Sequence, residues 1–128
     1  MARVLIAEDE APVRELLTRA LVMDGHDVEA EPDGAAALER LSAGSPFDLL
    51  LTDIRMPIMD GIALALTAAR DYPDLAIVLM TGYAGERERA QGLDALVHDV
   101  VLKPFTLADI KRALKQALTA RARSGAPN

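Results

Sequence analysis

The 128-residue chain has no cysteine, which excludes disulfides and any thiolate site and suits a reducing compartment. No apolar stretch approaches the length of a transmembrane helix, and Met1-Ala2-Arg3 runs straight into a strand-like segment rather than a secretory leader. Positive charge is short: 14 Lys and Arg face 20 Asp and Glu, a net charge of −6. A chain this acidic binds nucleic acid poorly unless its positive charge is clustered. The one basic cluster, Lys111, Arg112, Lys115, Arg121 and Arg123, reads as a solvated helix face complementing a C-terminal dipole. Internal repeats, low-complexity tracts and a glycine-rich phosphate loop are also missing, which argues against an enzyme acting on small molecules. What is present is 51% hydrophobic residues over a length that suits one domain and is too short for two.

Strand and helix signals alternate along the chain. Strands are expected at about 3–7, 27–31, 48–52, 76–80 and 100–102, most of them short, strongly apolar runs. Helices are expected from residue 10 or 11, with Pro12 in the first turn and a stop at Asp24-Gly25, and from a cap at Asp33 through Leu41. Another runs over 61–71, and a last one over 106–122 carries Leu107, Ile110, Leu114 and Leu118 on one face. Between the fourth and fifth strands, Glu86 to Gln91 is highly charged and Gly92 follows at once, so a short or mobile helix is expected there. Residues 123–128 read as a frayed tail. Alternating strands and helices imply a parallel sheet with right-handed crossovers and helices on both faces, an α/β fold of the flavodoxin-like kind with strand order 2-1-3-4-5.

Four polar clusters follow the apolar runs: Glu8-Asp9, Asp53, Thr81 and Lys103-Pro104. Ligands of open α/β sheets sit at the carboxyl ends of the strands, so three acids, a hydroxyl and an amine should gather at one sheet edge. Three crowded carboxylates repel one another, and a hard divalent cation removes that conflict. Taken singly, each cluster has a plainer reading. Glu8-Asp9-Glu10 is a charged helix start, Thr81 a turn former, and Lys103-Pro104 a turn after a strand.

Together, and in this order, the clusters resemble the receiver domain of two-component response regulators over nearly the whole chain. The segment Asp53-Ile54-Arg55-Met56-Pro57-Ile58-Met59-Asp60-Gly61 carries that family's hallmark, an acceptor Asp followed by Met-Pro and Asp-Gly. The resemblance implies that Asp53 is phosphorylated, with Lys103 and Thr81 contacting the phosphoryl group. It implies Mg2+ bound directly by Asp9 and Asp53, by Glu8 through a water, and by the backbone carbonyl of Arg55. It implies a cis Lys103-Pro104 bond, and no enzymatic activity beyond self-directed phosphoryl transfer and autodephosphorylation. Within the family, the string around Asp53 together with Met80 to Ala90 looks most like the CpdR group, which are stand-alone receivers in cell-cycle circuits. That implies a receiver over 1–122 with no output domain, a cytoplasmic monomer or weak dimer, and no contact with nucleic acid or membrane. The implied partners are a histidine kinase or histidine phosphotransferase and an effector such as a ClpX-type AAA+ protease, which the chain would serve as a phosphorylation-switched adaptor. A phosphoryl shuttle between a histidine kinase and a histidine phosphotransferase is the other role such a receiver can fill.

The chain departs from the family pattern at Val100, where many receivers carry the Tyr or Phe that swings inward on activation, and at Leu96-Val97, where a Gly-Ala pair is common. His98 and Tyr83 are nearby substitutes for the missing ring, although an exposed loop histidine is the plainer reading of His98. Arg55 and Tyr83 are either shields of the phosphoryl group against water or ordinary loop residues.

Overall fold

The structure, a computed structural model, describes residues 2–44, 46–82, 88–90, 92, 93 and 95–124. Five strands form it: β1 (Arg3–Ala7), β2 (Asp27–Glu31), β3 (Leu49–Asp53), β4 (Ala76–Thr81) and β5 (Asp99–Leu102). All pair in parallel, in the order β2-β1-β3-β4-β5. The helices whose bounds lie among the described residues are α1 (Ala11–Met23), α2 (Gly34–Ser42), α3 (Gly61–Asp71) and α4 (Leu107–Ser124). The expected order and fold class hold. The last helix runs to Ser124, two residues past the expected end, and residues 125–128 of the expected tail lie outside the described residues. The helix expected over 86–91 and the ring of Tyr83 lie largely or wholly outside the described residues.

Side chains alternate across a strand, so the central strands bury both faces and read as unbroken apolar runs. Val4, Ile6, Leu49, Leu51, Val78 and Met80 pack with Leu17 and Leu21 of α1 and with Ile110 and Leu114 of α4. Leu5, Leu50, Ile77 and Leu79 pack the other way, with Ala37 and Leu41 of α2 and with Leu64, Ala65 and Ala68 of α3. Each fully buried Leu or Ile contributes about 1.5–3 kcal/mol relative to exposure, which is why the apolar runs rather than helix propensity decide the architecture.

Helix starts follow local chemistry. The Asp33 carboxylate accepts the Ala36 N–H at 2.8 Å, and Asp60 accepts the Ala63 N–H at 2.9 Å. Thr106 and Asp109 cap α4 reciprocally, backbone to side chain, at 2.9 and 3.1 Å. At the sheet's edge, β2 carries charge that blunts pairing with another chain. Arg3 bridges Asp27 and Glu29, and Arg40 bridges Glu29 and Glu31. Part of the basic cluster on α4 is paired within the chain: Lys111 with Asp24, Arg112 with Asp109, and Arg121 with Asp48.

Candidate functional site

The parallel register brings the carboxyl ends of β1, β3, β4 and β5 to one edge, and every residue singled out from the four clusters lies there. Glu8 directly follows β1 and is fully buried, Asp53 closes β3 at 5% exposure, and Thr81 closes β4, also buried. Asp9 is exposed at the start of the turn into α1. Carboxylate oxygens of Glu8, Asp9 and Asp53 all lie within 4.8 Å of one another. Lys103 follows β5, its backbone N–H donates to the Thr81 carbonyl at 2.7 Å, and its peptide bond to Pro104 is cis. From there its ammonium reaches across the edge and donates to Glu8 Oε1 and to Asp53 Oδ2, both at 3.2 Å.

Burial and charge set the protonation of this group. Burial first, and the Asp53 charge second, push the Glu8 carboxyl up to about 7, against the opposing pull of the Glu10 N–H and of Lys103. Burial also raises Asp53, although Lys103 holds it back, and the Asp9 charge adds a little. Burial by itself would lower Lys103, yet the charges of Asp53 and Glu8 outweigh it and raise the ammonium above its ordinary value. The lysine therefore stays charged, and the two buried carboxylates compete for too little positive charge. An all-oxygen set of three carboxylates, one of them open to solvent, is the donor chemistry that Mg2+ takes, since that ion keeps several waters.

Local geometry explains how Asp53 is held. Beyond it, the Ile54 N–H donates to the Met80 carbonyl at 3.0 Å, and the Gly61 N–H returns to the Ile54 carbonyl at 2.8 Å. Gly61 lies so close that a Cβ there would stand 2.0 Å from the Asp53 carbonyl oxygen. At Gly82, which follows Thr81, a Cβ would meet only the Lys103 side chain, at an ordinary 3.6 Å. A residue missed in the sequence is Arg14, whose guanidinium donates to the Glu8 carbonyl at 2.8 Å and so fixes the turn that presents Glu8 and Asp9. Its only sequence signal is a cation in the first turns of the helix that follows the acidic pair.

Arg55 is exposed two residues past Asp53. Val100 is half-buried and packs against the α2–α3 side of the core, where it has no ring to reorient. His98 is exposed at the entry to β5, with its Nδ1 accepting the Ile77 N–H at 3.3 Å. A cleft of about 460 Å3 lined by Phe47, Tyr72 and Arg121 lies at the opposite end of the sheet and touches none of the acidic cluster.

Residues 4–115 match the family model described as the response regulator receiver domain. The chain is 42% identical over 120 residues to the response regulator receiver protein CpdR of Brucella abortus (strain 2308), covering 94% of this chain and 99% of that protein. It is 35% identical over 116 residues to the response regulator MprA of Mycobacterium ulcerans (strain Agy99), and there it spans half of that protein's length. Among solved structures, a CheY-like receiver domain protein from Methanospirillum hungatei JF-1 superposes with a TM-score of 0.89 at 26% identity, covering 98% of this chain and 99% of that one. The response regulator TrrA of Thermotoga maritima, in complex with Mg2+ and BeF, superposes with a TM-score of 0.81 at 29% identity, covering 91% of this chain and 99% of that one.

Proposed function

The chain belongs to the response regulator receiver domain family, and from that premise we propose that it is a phosphorylation-switched interaction module with Asp53 as its phosphoryl acceptor. The observation that carries this reading is the Lys103 ammonium at 3.2 Å from both Glu8 and Asp53, beside a third carboxylate on Asp9. A carboxylate oxygen of Asp53 attacks the phosphorus of a phosphohistidine. The O–P bond forms as the N–P bond breaks, and the bonding pair returns to the imidazole nitrogen. Lys103, already between the two carboxylates, pairs with a phosphoryl oxygen as negative charge arrives. The hydroxyl of Thr81, at the end of the neighbouring strand, is drawn toward the same oxygens. Asp9, Asp53, the Arg55 carbonyl and, through a water, Glu8 would hold Mg2+, whose charge offsets that of the transferring oxygens. The activity is self-directed: the chain takes up and releases its own phosphate.

Incubation with acetyl phosphate and Mg2+ should add one phosphate by intact mass, and no uptake under any Mg2+ concentration would overturn the reading. The 42% identity to CpdR, over 99% of that protein, supports an adaptor role with an AAA+ protease of the ClpX type as effector and a histidine kinase or phosphotransferase as donor. A pull-down comparing wild type with Asp53→Ala tests that role, since an effector must be captured differently by the two.

Removal of a ligand gives a separate check. Asp9→Ala is expected to abolish the rise in melting temperature that Mg2+ gives the wild type. The metal-free variant should be only slightly more stable than wild type, because Asp9 is exposed and its charge is a minor influence on Asp53. An undiminished Mg2+ response in Asp9→Ala would refute the coordination.

A further inference from the structure

Ile58 has a backbone φ of 71°, the only positive value at a non-glycine residue among those described. For a β-branched side chain this is a steric outlier. The Met59 N–H donates to the Pro57 carbonyl at 2.8 Å, which closes a three-residue γ-turn with Ile58 at its apex. With φ positive at the centre, this is the rare and strained form of that turn. The side chain gains nothing from the core in exchange, since Ile58 is 84% exposed.

The neighbours, not Ile58, impose the turn. Gly61 ties one end of the loop to Ile54. Gly34 abuts the Met59 carbonyl so closely that a Cβ there would stand 2.4 Å from the oxygen. Asp60 caps α3 and pairs with Arg89 at 3.1 Å. A glycine or asparagine would occupy the same turn with less strain. An exposed, strained isoleucine that does nothing for folding points to a role at the surface.

We infer that Ile58 is an apolar anchor for the protein that delivers phosphate to Asp53, a reading that rests on Asp53 being the acceptor. Asp53 is nearly buried, so a phosphohistidine reaches it only if the donor's surface covers the rim of the site. The 54–60 loop, which starts at Asp53 itself, is part of that rim, and Ile58 with the exposed Pro57 is its apolar tip. The neighbouring loops after β1 and β2 carry Asp9, Glu10 and Asp33. The donor that fits therefore has an apolar hollow beside its phosphohistidine, flanked by basic side chains. A small phosphodonor needs no such contact.

The test uses Ile58→Gly, Ile58→Asn and Ile58→Val in the full chain, with acetyl phosphate as one donor. The second donor is an autophosphorylated histidine kinase, the one from the source organism that labels wild type fastest. All three variants should take acetyl phosphate at the wild-type rate, and the Gly and Asn variants should melt at or above wild type. Transfer from the kinase should slow about tenfold in the Gly and Asn variants, the loss typical of truncating an interface anchor, while Val stays near wild type. Undiminished transfer from the kinase in Ile58→Gly overturns the proposal while leaving Asp53 as the acceptor. Equal slowing with both donors also overturns it, because the loop would then act on the site rather than on a partner. A wild-type dimer that Ile58→Gly dissociates would assign the anchor to a second copy and overturn it likewise. Failure of acetyl phosphate to label wild type would instead remove the reading beneath it.

Discussion

Asp53→Asn should take up no phosphate from acetyl phosphate or from a phosphorylated kinase, against one per chain for wild type. The amide retains the shape of the carboxyl and an oxygen that can still accept from Lys103, which donates to Asp53 at 3.2 Å, so the fold should survive. It lacks the anionic oxygen that attacks phosphorus. Glu8 is no substitute, since it is fully buried and engaged by Lys103 and the Glu10 N–H. Phosphate on the variant would show that the acceptor is elsewhere.

The same substitution has an electrostatic signature that does not depend on phosphate. The Asp53 charge is the second cause, after burial, of the rise in Glu8 from its usual 4.5 to about 7. A carboxyl whose folded pKa lies above its unfolded one favours the native state most at low pH. That contribution is lost as pH rises from about 4.5 through about 7. The metal-free wild type should therefore lose stability from Glu8 across this window. In Asp53→Asn the loss should be smaller and the Glu8 titration should move down, as read by side-chain carboxyl NMR and by melting curves at pH 5 and pH 8. A Glu8 titration unchanged by the substitution would contradict the charge coupling.

The largest effect on stability is expected from Gly61→Ala. The added methyl would meet the Asp53 carbonyl oxygen at 2.0 Å, its carbon at 2.8 Å and Ile54 Cα at 2.9 Å, all backbone atoms that cannot rotate away. Relief requires parting α3 from the end of β3, which breaks the Gly61-to-Ile54 hydrogen bond and moves Asp53. A cost of about 3 kcal/mol is expected, roughly a 12 °C fall in melting temperature at this size, together with slower labelling of Asp53. Gly82→Ala is the control, since its Cβ would enter ordinary contact with Lys103, and it should melt within about 2 °C of wild type. Equal melting of the two variants would show that the close approach at Gly61 is not tight in solution.

Much of this protein was legible before folding, because the relevant physics is local. Short apolar runs such as Leu49–Leu51 and Ile77–Met80, bounded by polar residues, read as buried strands, and the polar residue that ends each run then lies at the sheet's edge. Asp33 signals a helix start through its own side chain, and it caps α2 as expected. The four-cluster pattern carried the family resemblance and the residues of the site, because strand ends in a parallel sheet all point the same way.

What the chain alone left open depends on contacts between distant segments. Lys103 meets Glu8 across 95 residues and Asp53 across 50, and the registers of β5 on β4, β4 on β3 and β3 on β1 set those distances. Which carboxylate is buried decides which one is driven up to about 7. Glu8 and Asp9 are adjacent in sequence, yet the first is sealed and the second open because the chain turns between them. The glycine that must be a glycine is Gly61 rather than Gly82, a matter of how closely α3 approaches β3. Ile58 looks like one more apolar residue in a loop until the clamps at Gly34 and Gly61 hold its backbone at φ 71°. Local patterns determined which elements form and which residues reach the edge, while burial, close approach and strain arose only when the elements packed against one another.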